Sequence, residues 1–98
     1  MSEFTKLLSA DRRLVILKLL AQSDDYSANQ YLLHAAMPGF GHSISEDTVR
    51  VELDWLAEQG LVTTETIGGI VVAKLTGRGE DVQAGRARVT GVKRPRPE

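Results

Sequence analysis

The stretch Ser45 to Val62, SEDTVRVELDWLAEQGLV, leaves its chain fewer structural options than any other part of it. Ser45 has the short hydroxyl that caps a helix start, and Ile44 and Val49 stand at the two positions of a hydrophobic staple. Glu46 and Asp47 suit the positive end of a helix. Val49, Leu53 and Leu56 then recur at i, i+4 and i+7, one apolar stripe with Trp55 beside it, and Gly60 supplies a stop. The pattern predicts a helix that begins after Ser45 and ends before Gly60. Immediately beyond, LVTTETI and IVVAKL flank Gly68-Gly69, a pair that a two-residue hairpin turn accepts readily. Trp55 reads as a core residue wedged against that hairpin.

The remaining segments fit around this unit. Ser9 precedes ADRRLVILKLLAQS, which reads as a first helix to about residue 22, with Asp11 in its first turn. Its apolar residues occupy more than one face, wider than the single stripe a surface helix needs. The surplus around Ile16 and Leu20 points either to a homodimer contact or to burial between neighbouring helices. In YSANQYLLHAAM, Ser27 and Gln30 have capping-box spacing and Tyr26 and Tyr31 staple spacing, so a second helix is expected from near Ala28 to before Pro38. PGFGHS is a loop rich in breakers, longer than the turn of a tight helix-turn-helix. After the hairpin, Thr76 caps a short helix, GRGEDVQA, closed by Gly85. The expected fold is mainly α with a β-hairpin, in the order helix, helix, helix, hairpin, helix. Residues 1–85 form the expected domain. Residues 86–98 read as a basic, flexible tail in which Gly91, Pro95 and Pro97 oppose regular structure.

Several classes of function lose their footing here. At 98 residues the chain suits one small domain, and 42% hydrophobic with 26% charged residues is a globular balance. It has no cysteine, so disulfides, thiolate metal sites and cysteine nucleophiles are excluded. No apolar run approaches the roughly 18 residues that span a bilayer. The opening MSEFTKLL lacks the basic-then-apolar order of a secretion signal, and a cytoplasmic protein is expected. His34 and His42 stand without a nearby ligand set, so neither a metal nor a cofactor is expected. GFGHS does not follow a strand, as a phosphate-binding glycine loop would, and no nucleophile, base and orienting group share a recognisable spacing. Asp24-Asp25 and Glu80-Asp81 read as helix-end or solvated charge. The chain is not expected to be an enzyme.

Two motifs take the reading further. A pattern common in bacterial winged-helix regulators, STVxxxLxxLxxxGLV, is matched with one departure, Asp47 in place of its serine, by Thr48, Val49, Leu53, Leu56, Gly60, Leu61 and Val62, and LTxxG is matched by Leu75, Thr76 and Gly79. The chain resembles ArsR-like winged helix-turn-helix regulators in general shape. More narrowly, DRRLVILKLLA, YSANQYLL, VxxxLxWLxEQGLV and GVKRPxP look like a small family of winged-helix proteins of Mu-like phages and prophages. The resemblance implies a DNA-binding transcriptional regulator. ArsR-type metal sensing relies on helix cysteines, which are missing here.

Charge complicates that implication. Residues 1–81 carry 7 Lys/Arg against 12 Asp/Glu, and residues 82–98 carry 5 against one. Placed on the winged-helix pattern, Glu46, Asp47, Arg50, Val51 and Asp54 of the third helix face away from the core, where a DNA-reading helix meets the groove. Duplex DNA is densely anionic, and most affinity comes from neutralising phosphate. Contact with double-stranded DNA would therefore rest on Arg50, with Ser45 and Thr48 as short-range phosphate contacts. Lys74, Arg78 and the tail arginines Arg86, Arg88, Arg94 and Arg96 would supply further positive charge, with Lys93 the remaining tail cation. Arg12, Arg13 and Lys18 read as solvating the first helix rather than touching phosphate. The alternative is a protein-interaction module whose acidic third helix docks a basic partner. No membrane contact is expected.

Overall fold

The computed structural model describes residues 2–96; the last two residues of the expected tail lie outside the described residues. The first helix, α1, spans Glu3–Gln22 and is capped by Ser2, whose Oγ accepts from the Thr5 amide at 3.1 Å. It therefore starts well before the expected Ser9. Ser2 and Glu3 satisfy the same capping rules as Ser9 and Asp11, and nothing between them breaks a helix. Ser9 lies inside α1 and its hydroxyl accepts from Arg12 Nη2 at 3.2 Å.

A helical turn at Asp24–Tyr26 follows, in which Asp25 and Tyr26 both adopt positive φ, 57° and 56°. It swings the chain into a short strand, β1 (Ser27–Asn29), where the sequence suggested the start of a helix. Helix α2 is Gln30–Ala36, capped by Asn29. Ser27, Ala28 and Asn29 instead pair with Lys74, Ala73 and Val72 of the hairpin, and Gln30 Oε1 accepts from the Val71 amide at 2.8 Å. A helical turn, Met37–Phe40, ends at Gly41 in the left-handed region.

The third helix, α3 (Glu46–Glu58), starts at Ser45 as expected and stops before Gly60, at φ 74°. The hairpin is β2 (Val62–Ile67) and β3 (Ile70–Leu75), joined through Gly68 and Gly69 with φ 58° and 80°. These are the paired positive values of the turn that suits right-handed strand twist. The sheet is antiparallel in the order β1-β3-β2, so the expected hairpin gains a third strand. Helix α4 (Gly77–Gln83) is capped by Thr76 as read, and Gly85 closes it at φ 83°.

One core joins these elements. Ile16, Leu17 and Leu20 of α1 meet Leu33, Met37, Val49, Leu53 and Leu56, with Leu61, Val62, Ala73, Leu75 and Val82 from the hairpin and α4. Ile16 and Leu20 are 0% exposed within this single chain, so the broad apolar face of α1 is explained by burial between neighbouring elements. They offer nothing to a dimer. At Gly79 a β-carbon would overlap the Leu61 carbonyl oxygen and lie 2.7 Å from Leu75 Cδ1. The glycine of the LTxxG pattern thus lets α4 sit directly on the start of β2.

Past α4 the chain does not run free. Residues 86–96 form a strap that crosses α1 and the flank of α3. The Lys93 amide donates to the Ala10 carbonyl at 3.1 Å, and Val89 and Val92 pack on the core. Gly91, at φ 98°, lies against Trp55, where a β-carbon would be 2.7 Å from the indole. Pro95 then returns to within 3.4 Å of the β-carbon position of Gly85. Ends that close on one another with apolar side chains between them make a compact loop. The apolar residues of the tail, Val89 and Val92, hold it down where its glycine and prolines suggested flexibility. Trp55 packs against the core and also holds the strap at Gly91 and Arg13 of α1. Among the described residues, no helix is long and apolar enough to cross a membrane.

Candidate nucleic-acid interface

The capping of α3 sets the positions of its first candidate residues. Ser45 Oγ accepts from the Thr48 amide at 3.1 Å and lies 2.9 Å from Thr48 Oγ1, so the two hydroxyls share one hydrogen bond at the start of the helix. One turn on, Arg50 is exposed and donates from Nη2 to Asp47 Oδ1 at 3.0 Å. The only cation of α3 is thus paired to its own helix. Glu46, Asp47, Val51, Asp54 and Glu58 complete the solvent face.

The fifth carboxylate of the segment behaves differently. Glu52 is 3% exposed and points toward α1. Its Oε1 accepts from Arg13 Nε at 2.9 Å, and its Oε2 lies 2.9 Å from Arg12 Nε, an ion pair by proximity whose N–H is not directed at the oxygen. Arg13 also donates to the Gly91 carbonyl at 3.0 Å and sits 3.9 Å above the Trp55 ring. Arg12 and Arg13 are therefore internal ties between α1, α3 and the strap, neither solvating an open face nor free for phosphate. Lys18 donates to the Gln83 carbonyl at 3.3 Å.

The other candidate cations are dispersed. Lys74 on β3 lies 3.6 Å from Asp25 Oδ2. Arg78 donates to the Gln59 carbonyl at 3.1 Å, holding the end of α3 to α4. Arg86 is paired with Asp81 at 3.0 Å and approaches Glu80 at 3.8 Å. Arg88 has no ion-pair partner among the described residues. Ser45 and Thr48 are brought together, whereas Arg50, two residues on and about 200° around the helix from Thr48, faces another way with Asp47; Lys74, Arg78, Arg86 and Arg88 are not gathered around them.

The histidines are occupied in the fold. His34 donates from Nε2 to the Ile44 carbonyl at 2.7 Å, fixing the residue before the cap of α3. His42 is buried and donates to Asp11 Oδ2 at 2.6 Å, while Lys93 reaches Asp11 Oδ1 at 3.2 Å. Partial burial pushes the Asp11 carboxyl up, but the hydrogen bonds from His42 and Lys93, with their charge, outweigh it and hold it below the ordinary carboxylate range. Asp11 thereby joins α1, the loop before α3 and the strap. No separation in the sequence marks this trio, because its members are 31 and 82 residues apart.

A three-helix core, a hairpin behind the third helix and a closing helix make this a winged helix-turn-helix protein. No protein-family profile matches the chain. It is 53% identical over 91 residues to gp26 of Escherichia phage Mu, an uncharacterized protein, covering 93% of this chain and 94% of that one. It is 42% identical over 76 residues to an uncharacterized protein of Haemophilus influenzae, covering 76% and 74%. The chain belongs to the family of these two proteins. Among solved structures it is similar to Sco5413, a MarR family transcriptional regulator from Streptomyces coelicolor, with TM-score 0.65 and 22% identity over 76% of this chain. It is also similar to hsRosR-S4, with TM-score 0.62 and 17% identity over 86% of this chain. At such identities the likeness is one of fold. The chain spans 49% of the first structure and 65% of the second.

Proposed function

We propose that this protein is a winged-helix DNA-binding protein that regulates transcription for a phage or prophage, inside the cytoplasm of the bacterial host. The observation that supports this most is the presentation of α3. Its stripe is buried, both its ends are capped, Ser45 and Thr48 meet at its start and Arg50 is exposed on its next turn, on a fold similar to that of a MarR family transcriptional regulator. Arg50 would leave Asp47 to contact a base edge or a phosphate, with Ser45 and Thr48 on neighbouring phosphates. Lys74, Arg78, Arg86 and Arg88 would add long-range attraction. The ArsR-like resemblance extends only to this general shape.

Titration of labelled fragments of the phage's own DNA at about 50 and 200 mM salt tests the reading. A six-contact binder loses on the order of a thousandfold affinity or more across that range. A protein that prefers no fragment over a scrambled one at low salt is not a sequence-reading regulator.

A second reading is favoured by one specific observation: Glu46, Asp47, Asp54 and Glu58 are all exposed on α3, and Arg50 is neutralised there. On this reading the face docks a basic protein partner. Pull-down from infected cells with α3 intact, and with Asp54→Lys and Glu58→Lys, discriminates; recovery of nucleic acid and no stable partner sinks it. We also propose self-association through α1, carried by Phe4, Leu7 and Leu8 and not by Ile16 and Leu20. Phe4 and Leu7 are 67% and 66% exposed on the first two turns, which stand clear of the core. A monomer mass by light scattering at tens of micromolar rejects it.

A further inference from the structure

The strap gathers cations that the fold leaves without acids. Two adjoining hollows lie along it, sharing Arg94 and Pro95. One is lined by Arg88, Lys93 and Arg94, the other by Lys18, Arg94 and Arg96, and no carboxylate lines either. Of these five cations only Lys93 has an ion-pair partner among the described residues, Asp11. That is unusual company in a chain with 13 acids against 12 bases, where Arg50, Lys74 and Arg86 each found one. Like charges drawn together repel one another, and a concave surface of one sign focuses its field on a counter-charged ligand.

The backbone that carries the strap's cations is also held in place. Arg13 to the Gly91 carbonyl, the Lys93 amide to Ala10, and Pro95 against Gly85 fix the course of the strap. Binding there would not have to order a loose tail first. The strap touches α3 at Trp55, one residue and so about 100° around the helix from Asp54 on its solvent face. The basic surface is therefore distinct from the face that carries Arg50.

We propose that Lys18, Arg88, Lys93, Arg94 and Arg96 form a contact surface for the phosphate backbone of double-stranded DNA, separate from α3 and indifferent to sequence. This rests on the reading of the protein as a DNA binder, and it assigns the electrostatic share of binding to the strap. It answers how so acidic a third helix could be kept near a polyanion: the attraction comes from another side of the domain.

The test is fluorescence anisotropy on a 30-base-pair duplex of arbitrary sequence, across about 50 to 200 mM NaCl, with the full chain and with Lys18→Gln/Arg94→Gln/Arg96→Gln. Arg94 and Arg96 are exposed and Lys18 is half-buried against the Gln83 carbonyl, so circular dichroism with thermal melting verifies that the variant folds. The full chain should bind with a salt slope of about −4.5, and the variant should lose about 2.7 of that slope and more than tenfold in affinity at about 50 mM, at roughly 0.9 per phosphate contact. An unchanged slope in the variant overturns the proposal, as does a full chain that ignores the random duplex at 50 mM salt. Tighter binding to single-stranded RNA of equal length overturns the choice of duplex DNA. A protein that retains preference for a phage fragment while its slope ignores the strap refutes only this inference. One that binds random duplex through the strap without preference refutes only sequence reading by α3.

Discussion

Two ion pairs on α3 sit two residues apart and could hardly differ more. Arg50 and Asp47 are exposed partners on one helix, and water competes for both charges. Glu52 is enclosed by Arg12 and Arg13, which come from α1, and Arg13 also leans on Trp55 and the strap. Coulomb attraction at a given distance grows severalfold as water is excluded, but so does the cost of leaving either charge alone. The number of acids along a helix is therefore a poor guide to the charge it shows. Of the five carboxylates in Ser45–Val62, one is an internal strut that ties three segments together.

The largest effects should come from breaking the enclosed side. Glu52→Ala leaves two guanidinium groups facing each other with their shared anion gone, and removing one member of a buried pair costs about 3–5 kcal/mol. Urea unfolding should show that loss in the midpoint; a shift under about 1 kcal/mol would mean that water enters and screens the arginines. Next comes Gly91→Ala. Its φ of 98° disfavours any side chain, and the new methyl would press on Trp55, so about 2 kcal/mol should be lost. The same substitution should change Trp55 fluorescence, which a strap lying off the body would leave unmoved.

The two sides of α3 were also unequally legible. Everything that sets its solvent face is local: cap, staple, stripe and glycine stop fall within 17 residues, Ile44 to Gly60, and each obeys a short-range rule. Its inner side depends on Arg12, Arg13 and Gly91, whose separation from Glu52 and Trp55 along the chain carries no pattern. The same distinction explains β1. Ser27 and Asn29 are both acceptable caps, and pairing of Ala28 with Ala73, far along the chain, decides between them. Ser2 and Ser9 posed the same choice for α1, with no core contact in the first two turns to resolve it. For the candidate interface, residue types were readable and their pairing was not. Arg50, Lys74 and Arg86 are neutralised by neighbours on the surface, whereas Arg88, Arg94 and Arg96 ride on a strap whose course is fixed by the apolar packing of Val89 and Val92.

A middle-sized effect lies at the helix start that the two sides share. Ser45→Ala removes the oxygen that satisfies the Thr48 amide, and loss of such a cap costs about 1 kcal/mol. Thermal melting should register it, and Ser45→Asp should restore it, since a carboxylate also accepts from the amide and suits the positive helix end. If Ser45 matters to DNA as well, Ser45→Asp should still bind phage fragments more weakly than the unaltered protein, because it places an anion where a phosphate would sit.

The smallest effect on stability, and the sharpest contrast with Glu52, belongs to Arg50. An exposed pair three residues apart on a helix contributes about 0.5 kcal/mol or less, so Arg50→Ala should leave the urea midpoint nearly unchanged. Its consequence should appear only in binding. Asp47 would then face the duplex without its cation, and preference for a phage fragment over a scrambled one should fall by about tenfold or more, the discrimination of one good base contact. A variant that loses stability instead would place Arg50 in the structural group with Arg12 and Arg13. One that keeps both stability and preference would move sequence reading off α3 altogether and leave its acidic face to a protein partner.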